Sequence, residues 1–164
     1  MTQITLLDGG MGQELVKRAP EKPTPLWSTQ VMVNHPGLVA AVHADYRDAG
    51  ATVHTSNTYA IHHDRLAGTP LDSEFANLHA LAMKEVTGFS RVAGSIGPLG
   101  ASYRPDLHPG WDVAVPLYAE VAEQLAQTCD LIICETVASL IHAETIFAGA
   151  TVAGKPIWLA LTVD

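Results

Sequence analysis

Basic charge is scarce in this sequence. Nine lysines and arginines stand against seventeen aspartates and glutamates, a formal charge of −8, and no Lys/Arg cluster interrupts that balance. Nucleic acid and anionic membrane surfaces are therefore poor partners. Charged residues make up only 16% of the 164 residues and hydrophobic ones 48%, which excludes a disordered tail and favours a chain that buries much of its surface. There are two cysteines, Cys129 and Cys134. Cys134 lies in an apolar run, where a thiol packs as a small hydrophobe, and an extended strand between the two would hold them too far apart for a disulfide. No apolar run reaches transmembrane length, and no basic region precedes an apolar stretch at the start, so neither a membrane span nor a secretory leader is expected and a cytoplasmic protein is the default.

What is present is alternation. Short β-rich runs at Ile4–Leu7, Thr52–Thr55, Arg91–Ser95, Leu131–Cys134 and Ile157–Val163 are separated by amphipathic stretches. One helix is expected with Pro36 in its first turn and Gly50 at the C′ position beyond its end, and others from Ser73 to Val86, from Val115 to Gln127 and from Ser139 to Val152; a Pro-rich connector carries Pro20, Pro23 and Pro25. A β-α-β-α-β-α-β-α-β order implies parallel strands with right-handed crossovers. Residues 1–164 read as one domain.

Two architectures fit: an open doubly wound sheet, or part of a parallel (β/α)8 barrel of the TIM type. The dinucleotide fingerprint of the first is absent, since Asp8-Gly9-Gly10-Met11-Gly12 places an acid where a phosphate site wants none. A whole barrel needs about 200 residues or more. The chain supplies about five of eight βα units, and its last residue, Asp164, at the end of a strand, reads as truncation.

Sites in such folds form at the C-terminal ends of strands. Those ends carry Asp8-Gly9-Gly10, Thr55 to Tyr59, Ser95 to Pro98, Glu135-Thr136 and Asp164. Asp8 beside two glycines suits either a ligand site, where backbone N–H groups hold a carboxylate, or a structural turn. Glu135, directly after Leu131–Cys134, needs a partner, either a substrate ammonium or a neighbouring base. Thr55, Asn57, Thr58 and Tyr59 suit pocket lining or turn bonding equally, and Gly97-Pro98 and Gly100 read as turn geometry. His62-His63 with Asp64, or with His54, lacks a third metal ligand at a recognisable spacing. His35, His43, His79, His108 and His142 read as surface or helix-face residues, and Trp27, Trp111 and Trp158 as packing.

Five segments in order, Leu6–Leu15, Pro25-Leu26-Trp27-Ser28, His43 through Tyr59, Gly94–Ala101 and Cys134-Glu135-Thr136, resemble the homocysteine S-methyltransferases, including their betaine- and cobalamin-dependent branches. The resemblance implies a (β/α)8 barrel that binds homocysteine at its C-terminal rim through Asp8, Gly9, Gly10 and Glu135, with Thr55 and Tyr59 lining the pocket. It implies methyl transfer to the homocysteine sulfur, giving methionine. It also implies zinc held by late cysteines, which are absent here, so that this portion alone is expected to be inactive. No catalytic residue and no metal ligand is named among these positions. A homo-oligomer is compatible with the resemblance, and the methyl donor is open. The alternatives are a truncated barrel acting as a non-catalytic binding or assembly module, and a different barrel enzyme, such as a lyase, using Asp8 or Glu135 as a base.

Overall fold

The computed structural model describes residues 4–163 apart from Glu21, Pro23 and Pro25. Pro23 and Pro25 of the expected connector, and Asp164 of the expected rim, lie outside the described residues. Four strands, β1 (His54–Thr55), β2 (Val92–Ile96), β3 (Leu131–Val137) and β4 (Ile157–Leu161), form one sheet in the order β1-β2-β3-β4. All three pairings are parallel. The order has no reversal of the kind that creates the ligand crevice of a doubly wound sheet.

The first expected strand, Ile4–Leu7, is reduced to one parallel bridge, Leu7 to Val53. Leu6 O accepts from Thr52 N and Val53 N, and Asp8 N donates to Val53 O at 3.1 Å. The segment has this neighbour on one side only, and Ile4 stands 89% exposed. One-sided pairing at its C-terminal end is too little for a ladder, so four strands and a bridge stand where five strands were expected.

Among the described residues there are seven α-helices: α1 (Met11–Arg18), α2 (Trp27–Asn34), α3 (Leu38–Asp48), α4 (His63–Leu66), α5 (Phe75–Val86), α6 (Trp111–Ala126) and α7 (Leu140–Ala150). Helix α3 follows Gly37 at φ 88°, and Glu85 of α5 caps it from across the interface, accepting from Gly37 N at 2.8 Å and Ala40 N at 3.0 Å. This pairing satisfies first-turn donors that α3 has no side chain of its own to serve. Helix α6 starts at Trp111, four residues before Val115, with Pro116 inside it. Ser139 caps α7, its side chain accepting from His142 N.

Strand periodicity splits the core. Helix-facing residues such as Ile96, Ile132 and Cys134 join the large cluster beneath the helices, whereas Val53, Ala93, Leu131 and Ile133 form a smaller cluster with Trp158 on the other face. Both cysteines are free and buried. Among the described residues no helix is long and apolar enough to cross a membrane.

Candidate functional site

The period of two that places Val53, Ala93, Leu131 and Ile133 on one face carries polar residues up the same face. Beyond them come Thr55, Ser95 and Glu135, so an apolar floor is crowned by hydroxyls and a carboxylate at the C-terminal strand ends. They border a cavity of about 520 Å³. All six residues singled out from the sequence, Asp8, Gly9, Gly10, Thr55, Tyr59 and Glu135, line it. Among its lining residues there is no lysine or arginine.

Asp8 is held rather than free. Thr55 N donates to Oδ2 at 2.7 Å and Thr55 Oγ1 donates to Oδ1 at 2.8 Å. Its side chain is 2% exposed, and His43 Nδ1 lies 3.6 Å from Oδ2. Glu135 Oε1 accepts from Ser95 Oγ at 2.5 Å. Burial raises the Glu135 pKa, the Ser95 hydrogen bond opposes that rise, and the negative charge of Asp8 adds to it. Two carboxylates thus share one cavity, with no lysine or arginine among its described lining residues.

A bulge interrupts β3 at this point. The ladder between β3 and β4 shifts register between Cys134 and Val137, and Thr136 adopts φ 57°. A β-branched residue in the left-handed region is strained. Trp27 (φ 45°) and Tyr103 (φ 60°) are the other non-glycine residues with positive φ among those described, and all three line this cavity. Such concentration of strain is typical of a site whose surroundings over-determine it. Tyr59 knits the rim together: its hydroxyl donates to Thr136 Oγ1 at 3.0 Å and is 2.8 Å from Ser102 Oγ.

Helix α1 points its first turn at the same space. Met11, Gly12 and Gln13 line the cavity, and Gly10, the N-cap, offers no side-chain acceptor to them. First-turn N–H groups have no intrahelical partner and favour an anion. The Trp27 ring packs on Gly12, where an added Cβ would come within 3.1 Å of it.

The neighbouring polar residues are structural. Ser56 Oγ accepts from Ser95 N, Thr58 Oγ1 donates to Ser95 O, and Asn57 Nδ2 donates to Ser28 O. Of these, Asn57 and Ser56 also border the cavity. Ser102, Tyr103 and Trp27 were not expected there; only the Pro-Leu-Trp-Ser segment hinted at the last.

Several histidines depart from expectation. His43, His79 and His142 lie on helix faces, one of the two expected placements, but those faces turn inward and bury them. His62 packs edge-on to Tyr118 while His63 stacks on Phe75 at 4.0 Å, so the adjacent pair points apart. Among the described residues, the one cluster of three metal-ligating side chains is Asp8, His43 and His54. It contains no cysteine, and burial pushes the Cys134 thiol up to about 12. A thiolate-held zinc does not fit the residues present.

The chain matches the family model described as homocysteine S-methyltransferase over residues 5–164. It is 32% identical to homocysteine S-methyltransferase of Escherichia coli K12 over 87% of its own length and 53% of that protein's. Its identity to homocysteine S-methyltransferase YbgG of Bacillus subtilis is 26%, again over 87% of this chain and 53% of the relative. The chain therefore spans about half the length of these curated relatives. The metallated form of the E. coli homocysteine methyltransferase MmuM superposes with a TM-score of 0.85 at 28% identity, covering 99% of this chain and 64% of that one.

Proposed function

The chain belongs to the homocysteine S-methyltransferase family, and from that premise we propose that its cavity binds the amino-acid end of homocysteine for methyl transfer to the sulfur, with methionine as product. One observation carries this reading: Asp8 and Glu135 share a cavity whose lining residues include no lysine or arginine. A substrate ammonium supplies the missing positive charge, received by Glu135 with Asp8 adding to the field. The substrate carboxylate lies at the start of α1, against the N–H groups that follow Gly9 and Gly10. Thr55 fixes Asp8, and Tyr59 fixes the wall opposite. This orients the homocysteine side chain and its sulfur into the remaining cavity.

The reaction moves a methyl group from a donor atom to the homocysteine sulfur: the S–CH₃ bond forms as the bond from carbon to the donor atom breaks, and the thiol proton passes to solvent. The trio of rings lining the cavity, Trp27, Tyr59 and Tyr103, suits a donor whose methyl-bearing atom is positively charged, a sulfonium or quaternary ammonium. Such a donor leaves as a neutral sulfide or amine. Zinc is the cofactor the family resemblance implies, and neither cysteine here suits it; the residues of this chain bind and orient the amino acid. The consecutive strand order supports the (β/α)8 barrel.

Calorimetric titration of the purified protein tests the site. L-homocysteine is compared with its deaminated and decarboxylated analogues, in wild type and in Glu135→Gln. The expected outcome is that Glu135→Gln weakens homocysteine by roughly ten- to a hundred-fold, as for a lost charged hydrogen bond, and leaves the deaminated analogue unchanged. Equal affinity of wild type and variant for homocysteine would refute the assignment.

A further inference from the structure

We propose that Asp8, His43 and His54 form a binding site for a divalent transition-metal ion, on the helix side of the sheet and behind the homocysteine cavity. The three residues come from three parts of the fold. Asp8 follows the Leu7 bridge, His54 opens β1, and His43 lies on α3. Strand alternation turns His54 away from the face shared by Val53 and Thr55 and toward the helices. One ligand atom from each residue lies within 4.8 Å of those of the other two.

The histidines are placed as ligands rather than as packing. Both are 0% exposed, and none of their four ring nitrogens has a partner in full hydrogen-bonding geometry, although the Ala51 backbone interacts with the His54 ring. Asp8 Oδ2 lies 3.6 Å from His43 Nδ1, beyond hydrogen-bonding reach. An aliphatic residue would fill either position without burying unpaired nitrogens. Phe89 covers both rings, with centroids 5.3 Å from His43 and 4.5 Å from His54. The carboxylate is already oriented from behind, since the Thr55 hydroxyl holds Oδ1, and such a second-shell bond is the usual support of a metal-binding carboxylate.

Two imidazoles and one carboxylate suit zinc, cobalt or ferrous iron and do not suit magnesium or calcium, which require oxygen donors. Ligand atoms around such an ion lie about 3.5 Å apart, so the rings swing inward on binding. His43 and His54 do not line the homocysteine cavity. Of the three ligands only Asp8 reaches that cavity, so the ion lies behind this carboxylate and pins the Asp8 turn to β1 and α3. This site is separate from any zinc that activates sulfur, and it does not depend on the homocysteine reading.

The test uses chelator-treated protein titrated with Co²⁺, followed by calorimetry and visible absorption. One equivalent should bind with d–d absorption and no thiolate charge-transfer band, Tm should rise, and Zn²⁺ should displace the cobalt. His43→Phe and His54→Phe should each lose this equivalent. No cobalt-dependent absorption, or an unchanged stoichiometry in both variants, overturns the proposal and leaves His43 a neighbour of Asp8 only. Should the variants fail to fold, Co²⁺-induced paramagnetic shifts of the His43 and His54 ring protons in the unaltered protein decide, and unshifted rings overturn it. Stoichiometry and spectra report on this site whether or not homocysteine binds.

Discussion

Thr55 donates twice to Asp8, from its backbone N–H to Oδ2 at 2.7 Å and from its hydroxyl to Oδ1 at 2.8 Å. The Asp8 turn is thereby locked to the end of β1. Asp8→Asn offers one acceptor where two are used, and its amide N–H₂ faces one of the Thr55 donors. The variant should lose about 1–3 kcal/mol, the cost of a buried donor left unpaired. Thr55→Val removes the hydroxyl alone and should cost about 0.5–1.5 kcal/mol. Urea denaturation of both variants checks the order; Thr55→Val costing more than Asp8→Asn would contradict the clasp.

Glu135 gives a pH signature in two readouts with opposite sense. Its folded pKa is raised by burial, with Asp8 adding to the rise. The folded state therefore holds this proton more tightly than the unfolded chain, and the stability from that proton is full below the unfolded pKa and lost as pH rises through the folded one. Glu135→Gln should be more stable than wild type near neutral pH, with the gain shrinking in acid. In the proposed function the Glu135 carboxylate receives the substrate ammonium, so wild-type homocysteine affinity should fall as pH drops through that raised pKa. Thermal melts and calorimetry across the acid range measure both, and a Glu135→Gln variant that is no more stable at neutral pH would contradict the sign.

The candidate site was more legible in the sequence than the elements around it. Asp8, Thr55, Tyr59 and Glu135 sit just beyond β-rich runs, and parallel topology brings strand ends to one rim whatever the helices do. The sequence position of His54 beside Thr55 carried less information, because only α3 folding over the sheet shows that His43 meets it. Helix α2 was missed because its buried face includes Ser28 and Thr29 as well as Val31 and Met32, which hides the apolar period. Helix α1 was missed because it is eight residues long and begins at glycines with no capping side chain. Strand Ile4–Leu7 was overread, since its apolar run describes a two-sided neighbourhood that the described residues fill on one side only.

Buried histidines should make the fold acid-sensitive. Burial lowers the pKa of His62, His79 and His142 to about 4, with nearby positive groups contributing. The unfolded chain binds these protons near the ordinary value of about 6.5. Stability is thus fully present above that value and is lost as pH falls toward about 4. Melting temperature followed downward from neutral pH should decline through this window, before most carboxylates titrate. His79→Leu should flatten the decline by up to one proton, at the cost of the bond to Phe75 O. A flat profile down to the carboxylate range would contradict the burial of these rings.

Gly97 gives a test of how tightly the cavity wall is built. A Cβ there would overlap the Tyr59 carbonyl oxygen and come within 2.7–2.8 Å of its ring. The ring carries the hydroxyl that bonds Thr136 Oγ1 and lies beside Ser102 Oγ. Gly97→Ala must therefore displace Tyr59 and, through it, the strained Thr136 that follows Glu135. Overpacking of this kind costs about 1–3 kcal/mol. Homocysteine affinity should fall as well, because the backbone that aims Glu135 relaxes. Tyr59→Phe separates the two effects: it keeps the ring against Gly97 and removes only the hydroxyl. It should lose less stability than Gly97→Ala while still weakening binding, and calorimetry with denaturation on both variants decides. If Gly97→Ala binds homocysteine as tightly as wild type, the Tyr59–Thr136 contact does not hold Glu135 in place.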